Sequence, residues 1–143
     1  MIGKIFDLLN TKIVRISGES MEPTLPPGSY VLVNRRGYGM QRMPGRFDIV
    51  RLENPDRRGH WILKRVVGLP GEEVALRDGR LVVDGTPVHE PHVDLTDTND
   101  HSWWPRDDEV VVLGDNRSAS TDSRKFGPVK LSSLRGKVSR RLR

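Results

Sequence analysis

Glycine and proline divide this chain into short segments, and that limits the folds open to it. Of 143 residues, 14 are glycine and 10 are proline, and they stand mostly singly between short apolar runs. These two residues are the least favourable in the interior of a helix, so long helices are excluded over most of the chain. Short β-branched and aromatic runs between turn formers are typical of strands. The sequence therefore predicts a mainly β fold of antiparallel sheets with few short helices.

Each of these runs predicts a strand. The runs cover residues 11–16, 30–34, 47–53, 61–67, 73–77, 80–84 and 109–113. Asp78-Gly79 separates two of them and predicts a type I′ hairpin, and a second pair follows at Asp84-Gly85. Residues 129–135 predict one helical turn near the end. We find no boundary between domains, and predict a single catalytic domain over residues 1–143 with a hairpin-rich insertion around 72–108.

Composition excludes several classes of function. Hydrophobic residues make up 35% and charged residues 30%, as in soluble globular domains. The absence of cysteine excludes disulfides, thiolate metal ligands and a cysteine nucleophile. The net charge of +5 would suit nucleic acid, but the basic residues are dispersed and no aromatic platform accompanies them. We predict no nucleic-acid partner, no metal and no cofactor.

The chain has no window of about 20 apolar residues, so no transmembrane helix is predicted within it. Apolar residues at helical spacing near the start predict a short amphipathic turn: Ile2, Ile5, Phe6 and Leu9. Such a turn packs on the protein itself, the interpretation we favour, or lies on a membrane surface. Trp103-Trp104 and a terminal basic cluster suggest peripheral binding to anionic lipid; the cluster comprises Arg135, Lys137, Arg140, Arg141 and Arg143.

Ser20 is a candidate nucleophile because it follows the first predicted strand in a polar loop. A serine hydroxyl needs a base within hydrogen-bond reach to take its proton. Histidine is the usual base, and the chain has four: His60, His89, His92 and His101. Three of them fall in the irregular polar stretch 89–108, and none stands in a motif connected with Ser20. We interpret them as solvated loop residues.

Lys64 is the alternative base. A lysine serves as a base when burial or a neighbouring cation lowers its pKa. In an extended strand Ile62, Lys64 and Val66 share one face, and Arg65 adds positive charge next door. Taken alone, the segment favours an ordinary strand in which both basic side chains reach solvent.

The loop from Gly114 to Arg124 is the third candidate element. It follows an apolar strand and is rich in turn formers and hydrogen-bonding side chains. Asp122 and Arg124 are two residues apart and could pair. Taken alone, the loop is a well-capped surface loop.

Together these segments resemble the signal peptidase I family. The matching motifs are Ser17-Gly-Glu-Ser-Met-Glu-Pro-Thr-Leu25, Phe47-Asp-Ile-Val-Arg51, Lys64-Arg-Val-Val-Gly-Leu-Pro-Gly71 and the Gly114–Arg124 loop. Their order and approximate spacing also agree, over residues 17 to about 129. The resemblance implies a signal-peptidase or LexA-like β fold and a serine endopeptidase.

The resemblance also implies roles for individual residues. Ser20 would attack the scissile carbonyl and Lys64 would take its proton, while Ser120 would hydrogen-bond the lysine amine. Asp122 and Arg124 would form a structural pair beside the site.

The oxyanion would be held by the backbone N–H of Ser20. Some family members add a serine hydroxyl two residues before the nucleophile, and this chain has Gly18 there. A second donor is therefore not identified by the sequence.

Substrates, by the same resemblance, would be exported pre-proteins cut after small residues in an Ala-x-Ala-like pattern. The peptide would bind extended beside residues 13–17. The enzyme would be membrane-associated, with its active site on the extracytoplasmic side.

Three alternatives remain. A maturation peptidase dedicated to one or a few partner proteins would use the same chemistry. A catalytically inactive binding module is disfavoured because Ser20, Lys64 and Ser120 are all present. A self-cleaving regulator of the LexA type is disfavoured because neither Ala75 nor Ala119 precedes a glycine and the leader is too short for a DNA-binding domain.

Overall fold

The computed structural model describes residue 5, residues 8–93 and residues 97–142. The strands are β1 (Thr11–Arg15), β2 (Tyr30–Asn34), β3 (Ile49–Glu53), β4 (Trp61–Gly68), β5 (Val74–Arg77), β6 (Arg80–Val83), β7 (Thr86–Pro87), β8 (His101–Trp103), β9 (Glu109–Leu113), β10 (Val129–Lys130) and β11 (Leu134–Leu142). One short helix, α1 (Ser123–Phe126), and 3-10 turns at Arg117–Ala119 and Leu131–Ser133 complete the described elements. The predicted mainly antiparallel β architecture is confirmed.

Two sheets make up the fold. The larger has the order β1-β2-β11-β3-β4-β9-β10, and the smaller has the order β7-β6-β5-β8. The pairings are antiparallel throughout. The smaller sheet falls within the predicted insertion at 72–108, while the assignment of the whole chain to one catalytic domain stays a prediction.

Three apolar clusters hold these elements together. One packs β3, β4 and β9 against Leu131 and Leu134. A second joins the two sheets through residues such as Val67, Leu76 and Trp103. The third lies beneath the loop that carries Ser20, and includes Met21 and Leu25. Because both of these side chains are buried beside Ser20, the loop is anchored to the sheet directly after the candidate nucleophile.

Most of the predicted strands are confirmed to within two residues. Asp78 and Gly79 both have positive φ (49° and 76°), as do Asp84 and Gly85 (49° and 77°). This is the backbone that a type I′ turn requires, so the predicted hairpin signals are confirmed. The third strand starts two residues later than predicted, because Phe47 has φ of 73° and is not extended.

The prediction for the end of the chain was wrong in part. Residues 129–135 were expected to form a helical turn, but only Leu131–Ser133 turns, between strands β10 and β11. The long strand β11 lies between β2 and β3 in the larger sheet. Its sequence is charged and contains Gly136, so it lacks the apolar alternation by which a strand is recognised. The basic cluster therefore lies on a strand, apart from Arg143, which is outside the described residues.

Two expectations about apolar surface also change. Ile5 and Leu9 are exposed, so they do not pack on the protein as we favoured; Ile2 and Phe6 lie outside the described residues. Trp103 is only 7% exposed and its indole N–H donates to the Ser123 carbonyl, whereas Trp104 is 66% exposed. Within the described residues, no helix is long and apolar enough to span a bilayer.

Candidate active site

Ser20 and Lys64 meet although 44 residues separate them in the sequence. Lys64 lies in the middle of β4, paired with Val50 of β3, and only 3% of it is exposed. Its Nζ donates a hydrogen bond of 2.8 Å to Ser20 Oγ and one of 3.2 Å to the Leu63 carbonyl. The structure thus brings the two predicted catalytic side chains into direct contact.

Burial is the main cause that lowers the pKa of Lys64, from 10.5 to about 8. The Arg124 guanidinium lowers it further, while the carboxylates of Asp122 and Asp115 oppose the shift. The cation that assists is therefore Arg124, and not Arg65 as the sequence suggested. An amine with a pKa of about 8 is neutral in about one molecule in ten at pH 7, whereas an ordinary lysine is almost entirely protonated there, and a general base must be neutral to accept a proton.

Arg65 instead forms a buried ion pair. Its Nε and Nη2 donate to the two oxygens of Asp115 at 2.8 and 2.7 Å, and its Nη1 donates to the Phe47 carbonyl. Asp115 also accepts a 2.6 Å hydrogen bond from Thr24, four residues after Ser20. The ion pair therefore connects β4 to the nucleophile loop. Thr24 and Asp115 lie inside the recognised motifs, but nothing in their spacing indicated that they meet.

The Gly114–Arg124 loop is organised around Asp122, whose side chain is completely buried. Asp122 accepts hydrogen bonds from the Gly114 N–H (2.9 Å), the Ser120 hydroxyl (2.8 Å) and the Arg124 guanidinium (2.9 Å). It also caps α1 by accepting from the Arg124 N–H. These donors keep the pKa of Asp122 below its ordinary value although burial would raise it. The predicted Asp122–Arg124 contact is present.

Ser120 differs from the expectation. Its hydroxyl was expected to hydrogen-bond the lysine amine, but among the described hydrogen bonds it donates to Asp122. Charge explains the preference, because an ionised carboxylate is a stronger acceptor than an amine. Ser120 stays close to the reaction centre, since it packs against Gly114, whose backbone also touches the Ser20 carbonyl.

The loop also holds the nucleophile through the backbone. The Asn116 N–H donates to the Ser20 carbonyl at 2.9 Å, and the Asn116 side chain donates to the Glu19 carbonyl. A Cβ on Gly114 would stand 2.6 Å from the Ser20 carbonyl oxygen and would also meet the Ser120 hydroxyl, so only glycine fits there. The sequence did not identify Asn116 as a functional residue, because a motif does not reveal which groups its residues contact.

Gly18 faces open space. Among the described residues, no heavy atom outside its chain neighbours lies within 4 Å of the position that a Cβ would occupy. The position therefore has room for a side chain next to the nucleophile.

A groove of about 260 Å³ runs past Ser20 and Lys64. One wall is the end of β1 with the following loop, including Val14 and Ile16, and the other is β4 from Trp61 to Leu63. β1 is an edge strand of the larger sheet, so its outer side is available to pair with an extended peptide. The site is therefore a cleft in which a serine hydroxyl, hydrogen-bonded to a buried lysine, lies beside a strand at the edge of the described sheet.

Of the four histidines, His60 and His89 are exposed as expected. His92 is not: its Nε2 is buried, 4.0 Å from Asp115, and its ring packs edge-on against Phe47. Burial lowers the pKa of His92, helped by Arg65 and Arg117 and opposed by Asp115 and Glu90. Within the ranges that the structure describes, no cluster of His, Asp and Glu suits a metal ion.

Residues 5–142 match the family model for signal peptidase, peptidase S26. The chain therefore belongs to this family, and it is a serine protease of the signal-peptide-cleaving class. The family predicted from the motifs is confirmed.

Individual relatives agree with this. The chain is 37% identical over 141 residues to signal peptidase I V of Bacillus subtilis, and the matched region covers 87% of this chain and 82% of that protein. It is 36% identical over 138 residues to signal peptidase I of Bacillus caldolyticus, covering 86% and 74%. A crystal structure of a signal peptidase I from Enterococcus faecalis superposes with a TM-score of 0.60 at 33% identity, covering 67% of this chain and 97% of that one.

Proposed function

We propose that this protein removes signal peptides from exported pre-proteins with Ser20 as the nucleophile and Lys64 as the general base. The observation that carries the proposal is the 2.8 Å contact between the Ser20 hydroxyl and an amine that is almost completely buried. Burial lowers the pKa of that amine to about 8, so it can accept the hydroxyl proton when neutral.

Catalysis then follows the usual course of acyl transfer. Neutral Lys64 takes the proton as Ser20 Oγ bonds to the scissile carbonyl carbon, which gives a tetrahedral oxyanion. When the carbon–nitrogen bond breaks, the Lys64 ammonium returns the proton to the leaving amine and an acyl-enzyme remains. Lys64 next deprotonates a water molecule, which attacks the acyl carbon and releases Ser20 with its proton restored.

The surrounding residues position these groups. Asp122 and Arg124 form a fixed ion pair beside the amine, and Ser120 is held to that pair and not to the lysine. The oxyanion is bound by the N–H of Ser20, and Gly18 offers no side-chain donor.

The substrate pairs in an extended conformation with residues 13–17 at the free edge of β1. Its residues before the cleavage site occupy the groove between β1 and β4, which favours small side chains in an Ala-x-Ala-like pattern. Leu8, Leu9 and Ile13 are exposed apolar residues near the start of the chain. They support peripheral association with a membrane, with the active site on the extracytoplasmic side where signal peptides emerge.

The decisive test is incubation with a pre-protein that carries an export signal, comparing the wild type with Ser20→Ala. We expect one cut after a small residue, mapped by mass spectrometry of the mature N-terminus, and no cut with the variant. Cleavage of this substrate by Ser20→Ala would overturn the assignment. Processing of a single partner protein, with no cleavage of other pre-proteins, would favour the dedicated maturation peptidase.

A further inference from the structure

Glu90 and Arg117 form a buried ion pair outside the dyad. Arg117 Nη2 lies 2.5 Å from Glu90 Oε1, and Nη1 lies 3.3 Å from Oε2. The Glu90 side chain is only 5% exposed and the Arg117 side chain only 3%. Burying two charges costs several kcal/mol per ion in desolvation, so such a pair is weak evidence for stability alone. The pair is better explained by a role in fixing the geometry of the Gly114–Arg124 loop, to which Arg117 belongs.

Arg117 sits at the centre of the loop that holds the nucleophile. Its Nε donates to the Gly114 carbonyl at 2.8 Å, and its own carbonyl accepts from Arg124 Nη1 at 2.9 Å. Gly114 packs directly against the Ser20 carbonyl. The residue before Arg117, Asn116, donates to that same carbonyl. Any shift of the Arg117 guanidinium is therefore transmitted to both Ser20 and Arg124.

We propose that Glu90 is a positioning residue, which fixes Arg117 and thereby holds the Gly114–Arg124 loop in the geometry that aligns Ser20 with Lys64. This inference rests on the proposed Ser20/Lys64 chemistry. Glu90 lies outside all the recognised motifs, in the stretch that follows β7.

Two neighbours of Glu90 along the chain reach the same loop. Asp97 accepts a 2.7 Å hydrogen bond from Arg124 Nη1, and His92 lies 4.0 Å from Asp115. Three side chains from one stretch thus contact three charged residues of one loop. Together these contacts hold the Gly114–Arg124 loop against Glu90, His92 and Asp97.

Loss of the Glu90 charge should affect turnover more than substrate binding. Among the described residues, those lining the groove do not include Glu90, so KM should stay within about twofold. The buried Arg117 cation would lose its partner and move, and a misplacement of about 1 Å at an active site can cost about 100-fold in rate. We therefore expect kcat to fall between about 10- and 100-fold in Glu90→Gln.

The acid limb of the pH profile should move as well. Burial is the main cause of the low pKa of Lys64, and the charges of Asp122, Arg124 and Asp115 in this loop also act on it. Ala119 of the same loop lines the groove together with Lys64. A loosened loop admits water to the amine, so the kinetic pKa should rise and the acid limb should shift to higher pH. Simple loss of stability would not move this limb.

Glu72→Gln is the matched control. Glu72 also forms a two-point ion pair, with Arg46 at 2.9 and 2.6 Å, and its side chain is 17% exposed. It binds the Leu69 N–H and has no described contact with the catalytic loop. We expect Glu72→Gln to lower the melting temperature but to keep the wild-type kcat and pH profile.

The experiment measures kcat, KM, the pH profile and the melting temperature for both variants on a signal-peptide substrate. Glu90→Asp, which keeps the charge, should recover part of the lost kcat. Glu90→Gln should have little further effect in an Arg117→Gln background. The inference is wrong if Glu90→Gln keeps the wild-type kcat and acid limb, or if both Gln variants lose kcat in proportion to stability. If Glu90→Gln does not fold, a Glu90→Asp variant with wild-type kcat and acid limb refutes it equally. An inactive wild type or an active Ser20→Ala would instead refute the proposed dyad.

Discussion

Replacement of Lys64 by methionine should abolish activity and at the same time stabilise the protein. Methionine has a similar length and no charge, so it fills the site on β4 without leaving a cavity. Without an amine, the Ser20 hydroxyl has no base within hydrogen-bond reach, and turnover is lost. The gain in stability follows because a buried ammonium opposes folding whenever the lysine is protonated.

The magnitude follows from the pKa. A folded-state pKa of about 8 against an ordinary 10.5 corresponds to about 3 kcal/mol, at 1.36 kcal/mol per pKa unit. Between these two values the unfolded chain holds a proton that the folded protein has released. The free energy of unfolding of the wild type therefore rises with pH across this window, and the lysine destabilises most below about pH 8. The advantage of Lys64→Met should be largest, at up to about 3 kcal/mol, near neutral pH and should shrink toward pH 10.5.

The assay is urea unfolding at several pH values between about pH 7 and pH 10, together with peptidase activity. Below about pH 8 the wild-type kcat/KM should fall about tenfold per pH unit, because it follows the neutral fraction of Lys64. Lys130→Met is the control, since Lys130 is exposed and paired with Asp108 at the surface. Its effect on stability should be small and its effect on activity absent. Turnover by Lys64→Met would refute the role as base, and a stability difference independent of pH would refute the low pKa.

Three further outcomes are expected. Gly18→Ser should raise kcat without loss of folding, because the position faces open space and a hydroxyl there adds an oxyanion donor; unchanged kcat would mean that the hydroxyl does not reach the oxyanion. His92→Gln should make the protein less sensitive to acid, since the folded state depresses the histidine pKa, so the wild type loses stability as pH falls through about 6.5; equal acid midpoints in urea or heat would contradict this. Trp104→Ala should weaken co-sedimentation with anionic vesicles at low salt, whereas the buried Trp103 contributes nothing to that surface.

The fold could be predicted from the sequence where local signals act alone. Residues 30–34 and 109–113 are bounded by turn formers, and the structure has strands there with the expected ends. β11 could not be predicted, because it is held by backbone pairing with β2 and β3 and not by its own apolar pattern. β8 was missed for a similar reason. It has three residues inside a polar stretch, and its place in the sheet depends on pairing with β5.

The proposed Ser20/Lys64 dyad was predicted from the motifs, but its electrostatics could not be predicted from the sequence. Alternation along β4 places Lys64 and Arg65 on opposite faces, and the segment alone favoured an ordinary strand in which both side chains reach solvent. In the structure both are buried, since β3 and β9 flank β4, Lys64 contacts Ser20 and Arg65 contacts Asp115. Whether Lys64 or Arg65 pairs with a carboxylate depends on a contact between residues 50 positions apart in the sequence, Arg65 and Asp115. No local pattern carries that information.

Lys64 and Arg65 are adjacent and both buried, yet their hydrogen-bond partners differ. Arg65 donates two hydrogen bonds to the carboxylate of Asp115, which compensate its desolvation and, because Thr24 also donates to Asp115, tie β4 to the loop that carries Ser20. Among the described hydrogen bonds, Lys64 donates only to a hydroxyl and a backbone carbonyl, so its charge is poorly compensated and burial lowers its pKa. If Lys64 were paired with a carboxylate as Arg65 is, its ammonium form would be stabilised and it could not accept a proton. In the proposed mechanism, the absence of a carboxylate directly paired with Lys64 among the described contacts is therefore as important as the position of Ser20 beside it.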